Sequence, residues 1–166
     1  MAKVFAALLA TLLSSFASSS TVSTGCASPP CRKILCLHGG GETGPSFKDS
    51  AGMRDVVQRA GDSYEFVFLT GPYASRRALW IRDPPGGKSN PTTDVNWDGL
   101  STAEIDSVIA AQGPFYGILG YSQGTAMTLA YLSHAPAHTF QVGLVFCAYI
   151  PTTVCSVSTP DPPIYD

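Results

Sequence analysis

Charge is scarce in this chain: only 13% of the residues are Asp, Glu, Lys or Arg, and the formal net charge is −2. That leaves no field with which to hold nucleic acid or an acidic membrane surface. No run of like charges longer than a pair and no internal repeat is present, which excludes polyelectrolyte tails and solenoid arrays. Histidine occurs 3 times, and no Cys-x-x-Cys or Cys/His spacing accompanies it, so no metal site is expected. No apolar stretch reaches the ~18 residues a membrane span needs. Asn90 has a threonine two places on, but Pro91 stands between them and blocks glycosylation. What remains is a 166-residue chain with 45% apolar residues, enough for one domain around a sizeable core. The partner this composition leaves is a small, neutral molecule.

The N-terminus differs in character from the rest. Lys3 precedes the apolar run Val4–Leu13, and small residues follow, with Ser15-Phe16-Ala17 offering a cleavage site. This pattern reads as a signal peptide within residues 1–25, and hence as a secreted or secretory-pathway protein. Of the 5 cysteines, Cys26 and Cys31 could pair if the chain is exported. Cys36 and Cys147 sit inside apolar runs and are expected to pack as small buried hydrophobes, leaving Cys155 over.

The mature domain is expected to span residues 32–166. Ile34-Leu35-Cys36-Leu37 is a continuous apolar run, the mark of a strand covered on both faces, and it ends in His38-Gly39-Gly40-Gly41. Phe47, Met53, Val56, Val57 and Ala60 fall at helical spacing, closed by Gly61. Tyr64–Leu69 is a second strand. From Thr70 to about Leu100 the pattern dissolves into Pro, Gly, Asn and Asp around Trp80 and Trp97. So long a stretch without pattern is unusual in a compact domain and is commonly functional. Ser101-Thr102-Ala103-Glu104 reads as a capping box opening a helix. A strand Phe115–Leu119, a helix Gln123–Leu132 and a strand Phe140–Cys147 complete the order β-α-β-loop-α-β-α-β. Such alternation predicts a three-layer α/β/α sandwich with a mostly parallel sheet, whose ligands bind beyond the carboxyl ends of the strands.

Both glycine-rich bends fall at those ends. Gly120-Tyr121-Ser122-Gln123-Gly124 follows a strand and opens a helix, the context a strained Gly-x-Ser-x-Gly turn requires. There the Ser122 hydroxyl projects free, while a side chain at Gly120 or Gly124 would collide with the neighbouring strand and helix. The plainer reading is an incidental turn. Acyl transfer also needs backbone donors about 3 Å from the developing oxyanion. The Gln123 N–H supplies one candidate and Gly40, with Gly41 behind it, the other. His38 reads as a tie for its own turn rather than as a base. Gly39-x-Gly41-x-x-Gly44 also fits a dinucleotide fingerprint, but the second strand ends Phe68-Leu69-Thr70 without the acidic residue a ribose needs. No cofactor is therefore expected. Tyr73 and Trp80, on the long loop, are candidates for lining an acyl pocket, against the plainer reading that they pack the loop down.

On KILCLHGGGETG, FVFLTGPY, the Trp80 region, GPFYGILGYSQGTAMTLAYL and FQVGLVFCAYIP, the chain resembles the FSH family of serine hydrolases, a branch of the α/β-hydrolase fold. The resemblance implies a carboxylic-ester hydrolase with Ser122 as nucleophile and a small-molecule ester as substrate. It departs from the family where Gly-Glu-Thr-Gly replaces a usual Gln-Asn after the His-Gly pair. A secretory leader is also unexpected in a family otherwise read as cytoplasmic. The family's triad acid and histidine lie on two strands beyond a segment like Pro162–Asp166. His134 and His138 stand about eleven or more residues past Ser122, roughly 16 Å along a helix, out of reach. Asp161 and Asp166 could serve as an acid, but an acid with no histidine to orient does little. The expectation is an incomplete serine hydrolase, weak or inactive as it stands, with a non-catalytic small-molecule or partner binder as the alternative.

Overall fold

A computed structural model describes residues 21–26, 31–74, 78–82 and 96–148. The sheet has the order β1-β3-β2-β6-β7. Its strands are β1 (Thr21–Ser23), β2 (Arg32–Leu37), β3 (Tyr64–Leu69), β6 (Gly117–Tyr121) and β7 (Val142–Phe146). All neighbours run parallel except β1, which pairs antiparallel with β3. Helices α1 (Gly44–Lys48) and α2 (Ala51–Ala60) connect β2 to β3, α3 (Gly99–Gln112) precedes β6, and α4 (Gln123–His134) joins β6 to β7. A two-stranded pair, β4 (Tyr73–Ala74) with β5 (Ala78–Leu79), lies in the stretch after β3.

The unbroken apolar run of β2 has a direct cause: its side chains alternate between two cores. Ile34 and Cys36 pack with Phe47, Met53, Phe66, Phe68 and Leu119 on the α1/α2 face. Leu35 and Leu37 pack with Trp80, Ile105, Ile118, Met127 and Tyr131 on the α3/α4 face. The three-layer sandwich is as predicted. After β2 the chain builds outward to β3, then returns across β2 to form β6 on its other side. The order of winding therefore reverses between β2 and β6, the switch point beyond whose carboxyl ends such sheets bind ligands. Register sets Leu37 beside Gly120, so the bends that follow the two strands emerge next to each other.

Several local expectations need correction. The single helix from Phe47 to Ala60 is two helices, because local caps outcompete continuation. Thr43 and Ser46 form a capping box at α1, and the extended Ser50 accepts from the Met53 N–H to open α2. Gly61, at φ 69°, closes α2 as expected. Ser101 is not a cap: α3 begins at Gly99, and the buried Ser101 hydroxyl donates to the Trp80 carbonyl. β6 lies two residues later than the predicted Phe115–Leu119, and β7 is shorter than Phe140–Cys147.

Cys147 is exposed rather than buried, since it lies past the end of a strand paired on one side only among the described residues. Cys36 is buried, and Cys26 and Cys31 form a disulfide with Cα atoms 6.2 Å apart. That bridge joins β1 to the start of β2, so the sheet begins at Thr21, within the stretch read as leader and ahead of Arg32. The leader's apolar run, its cleavage site, Asn90, Cys155, Asp161 and Asp166 lie outside the described residues. No described helix is long and apolar enough to cross a membrane.

Candidate active site at the β2 and β6 bends

Ser122 sits between β6 and α4 with φ 52° and ψ −114°, a backbone conformation that non-glycine residues rarely adopt. The bend is that tight because strand and helix meet almost without spacing. A methyl group on Gly120 would lie 2.5 Å from Thr128 Oγ1 and 2.6 Å from both the Gly124 carbonyl oxygen and Thr125 Cα. A methyl group on Gly124 would strike the carbonyl oxygens of Leu37 and His38. Both glycines are therefore steric requirements, as the sequence pattern predicts. The Ser122 N–H donates to the Phe146 carbonyl at 3.0 Å, which ties the bend to the end of β7. Its hydroxyl has no hydrogen-bond partner among the described residues, although it stands at a helix N-cap.

The donors of the first bend divide cleanly. Gly39 N–H donates to Glu42 Oε2 at 2.9 Å, and Gly41 N–H donates to the Ala78 carbonyl at 3.0 Å. Gly41 thus has no donor to offer a ligand, which removes it as a reserve for Gly40. The Gly40 N–H is unpaired among the described residues, and so is that of Gln123, the first residue of α4. A methyl group on Gly40 would lie 3.5 Å from the Gln123 side chain, so the two bends are in contact.

His38 is buried with both ring nitrogens engaged. Nε2 accepts from the Gly71 N–H at 2.9 Å and Nδ1–H donates to the Gly39 carbonyl at 2.7 Å. Burial lowers its pKa from 6.5, so the ring stays neutral and holds this one tautomer. It is a tie for the turn. His134 ends α4 and His138 lies beyond it, exposed, so neither reaches the Ser122 bend.

Trp80 corrects the pocket expectation. Its ring is fully buried, with Nε1–H donating to the His38 carbonyl at 2.8 Å. Its backbone N–H donates to Gln123 Oε1 at 2.9 Å. An apolar ring with its one polar atom satisfied belongs to the core rather than to a ligand-facing wall. Tyr73 is half-buried. Its hydroxyl accepts from the Leu100 N–H at 3.2 Å and donates to the Asn96 carbonyl at 3.3 Å, closing the long loop on itself.

A cleft lined by Tyr121, the residue before Ser122, was not legible in the sequence. It has a volume of about 360 Å³, and its lining includes Glu42, Phe47, Ser50, Met53, Val56, Tyr121 and Phe146. Phe47 and Tyr121 stack along it with ring centroids 5.8 Å apart. The helical spacing of Phe47, Met53 and Val56 looked like core alone. The signal missed was Tyr121, whose side chain must leave the sheet on the face opposite α4.

Residues 27–155 match the family described as Serine hydrolase (FSH1). The esterase alnB of Emericella nidulans is 37% identical over 106 residues, covering 60% of this chain and 36% of that protein. The esterase FPY3 of Fusarium mangiferae is 30% identical over 142 residues, covering 76% and 61% respectively. In structure, the chain is similar to the Bacillus cereus carboxylesterase, with a TM-score of 0.63 at 16% identity, over 82% of this chain and 63% of the other. The chain thus spans roughly a third to two thirds of the length of these proteins. The fold is that of α/β-hydrolase esterases, and by its matched residues the chain belongs to the FSH1 family of serine hydrolases.

Proposed function

We propose that this chain carries the nucleophile and oxyanion half of a serine esterase acting on small, uncharged carboxylic esters. The observation that carries the reading is the strained Ser122 bend, with a free hydroxyl beside the unpaired N–H groups of Gly40 and Gln123. In the proposed reaction Ser122 Oγ attacks the ester carbonyl while its proton passes to a base. The two amides hold the oxyanion, the alcohol leaves with a proton, and water releases the acyl group. The apolar cleft takes the acyl chain. His38 has both ring nitrogens engaged, and His134 and His138 lie at and beyond the far end of α4, so none of the chain's 3 histidines is placed to take that proton.

The test is labelling with a fluorophosphonate, with free imidazole added as a stand-in base. Slow labelling of Ser122, accelerated by imidazole and abolished in Ser122→Ala, is the expected result. Absence of Ser122 labelling at any imidazole concentration sinks the reading and favours a non-catalytic binder over the same cleft. The leader pattern together with the Cys26–Cys31 disulfide supports an exported protein.

A further inference from the structure

The cleft beside Tyr121 is mostly apolar, yet one carboxylate stands on its wall. Glu42 is the only Asp, Glu, Lys or Arg among the described lining residues. Its placement is fixed. Oε2 accepts from the Gly39 N–H at 2.9 Å, and the carboxylate makes no described ion pair. The remaining oxygen, Oε1, has no hydrogen-bond partner among the described residues, although the group is only half exposed. Tyr121 flanks it: a methyl group on Gly39 would lie 3.0 Å from Glu42 Oε2 and 3.1 Å from the Tyr121 ring. An aromatic wall of Tyr121 and Phe47 continues away from that point.

A lone carboxylate beside low-dielectric walls imposes a field that water screens incompletely. An alkyl chain lying along Phe47, Met53 and Val56 is indifferent to it. A second carboxylate brought to the same mouth is repelled, while an ammonium or a hydroxyl meets an unused acceptor. We propose that Glu42 is the charge selector of this cleft, admitting neutral or ammonium-bearing alkyl chains and turning away those that carry a carboxylate. The proposal rests on the esterase reading only for its meaning in catalysis; the selection itself is a binding property.

It is tested by binding. Octanol, octylammonium and octanoate are titrated at neutral pH into the chain labelled with ¹³C at its methionine methyls, following Met53. In the unaltered chain, octanoate is expected to bind about tenfold more weakly than octanol, with octylammonium at least as tight as octanol. Glu42→Gln keeps an acceptor for the Gly39 N–H while removing the charge, and should bring octanoate to within about twofold of octanol. High salt should shrink the original difference in the same direction. An order of affinities unchanged in Glu42→Gln, or insensitive to salt, overturns the proposal. Fluorophosphonate labelling of the unaltered chain, set beside its titration, separates the two readings. Intact charge selection with no Ser122 labelling removes the esterase and leaves the selector; normal labelling with flat selection does the reverse.

Discussion

A single added methyl group should have opposite effects at two glycines of this chain. At Gly120 the new carbon would lie 2.5 Å from Thr128 Oγ1 and 2.6 Å from the Gly124 carbonyl oxygen and Thr125 Cα. Two of those three atoms are backbone, so no rotamer change relieves the clash; β6 and α4 must part. Overpacking of this kind costs about 1–3 kcal/mol, and a backbone clash belongs at the upper end. For a domain of this size each kcal/mol moves Tm by about 2–4 °C, so Gly120→Ala should melt about 6–12 °C lower. Gly52, in the first turn of α2, has nothing within 4 Å of its added carbon. There alanine reduces the freedom of the unfolded chain and favours the helix, adding about 0.5 kcal/mol and raising Tm by about 1–2 °C. Gly143→Ala is the control between them, because its contact is the end of the Leu132 side chain at 3.1 Å, which can rotate away. Thermal unfolding of the three variants by circular dichroism decides the matter. If Gly120→Ala melts within about 2 °C of Gly143→Ala, strand and helix are not in the close contact from which the serine bend is argued.

Other consequences are equally concrete. Gln123→Ala should lose about 1–3 kcal/mol in chemical denaturation, because it strands the buried Trp80 N–H without an acceptor. His38 has its pKa lowered in the folded chain, so the unfolded chain binds more protons between the two values. Its contribution to stability is present above pH 6.5 and falls away as pH drops from there. His38→Asn should therefore show a flatter stability profile between about pH 5 and 7 than the unaltered chain, and an identical slope would contradict the burial. The paired change Cys26→Ser and Cys31→Ser should cost about 2 kcal/mol by loop closure, with β1 amides exchanging fastest in hydrogen exchange. Val145 and Phe146 are each 45% exposed on β7, which has one described neighbour. Val145→Lys should reduce self-association in light scattering at little cost in stability, since a charged edge strand pairs poorly with another.

The fold was legible because its strands are apolar on both faces. β3 appears at the residues predicted for it, since YEFVFL offers no other periodicity and is bounded by polar residues. Ser122 and the two glycines around it were legible for a related reason: a tight strand-to-helix turn permits few residue types, so the requirement shows in the letters. Helix starts were harder. Ser101 has the letters of a cap, yet a buried carbonyl at Trp80 takes its hydroxyl, a tertiary partner that local spacing cannot reveal. β1 was hidden because a three-residue edge strand carries almost no pattern, and it lies beside an apolar leader-like run. The roles of Trp80 and Glu42 were out of reach for the same cause. Whether a loop aromatic faces a ligand or the core, and whether an acidic residue faces solvent or a cleft, depends on what the distant chain brings to it.

Trp80 shows what that distant chain contributes. Four hydrogen bonds pass through one buried cluster: Gln123 Oε1 to the Trp80 N–H, Trp80 Nε1–H to the His38 carbonyl, the Gly71 N–H to His38 Nε2, and the Ser101 hydroxyl to the Trp80 carbonyl. Two of them link the ends of β2 and β6 through the same residue. The two amides unpaired among the described residues, at Gly40 and Gln123, belong to the bends so linked, and their spacing therefore depends on a fully buried side chain. Buried and fully satisfied bonds of this kind hold geometry more firmly than exposed ones, because breaking any of them leaves a polar atom without water. Trp80→Phe removes one bond and leaves the ring volume mostly filled. Under the esterase reading it should slow Ser122 labelling, with the Met53 titration unchanged. A loss confined to thermal stability, with labelling intact, would mean that the tryptophan fills the core and does not set the distance between the two amides.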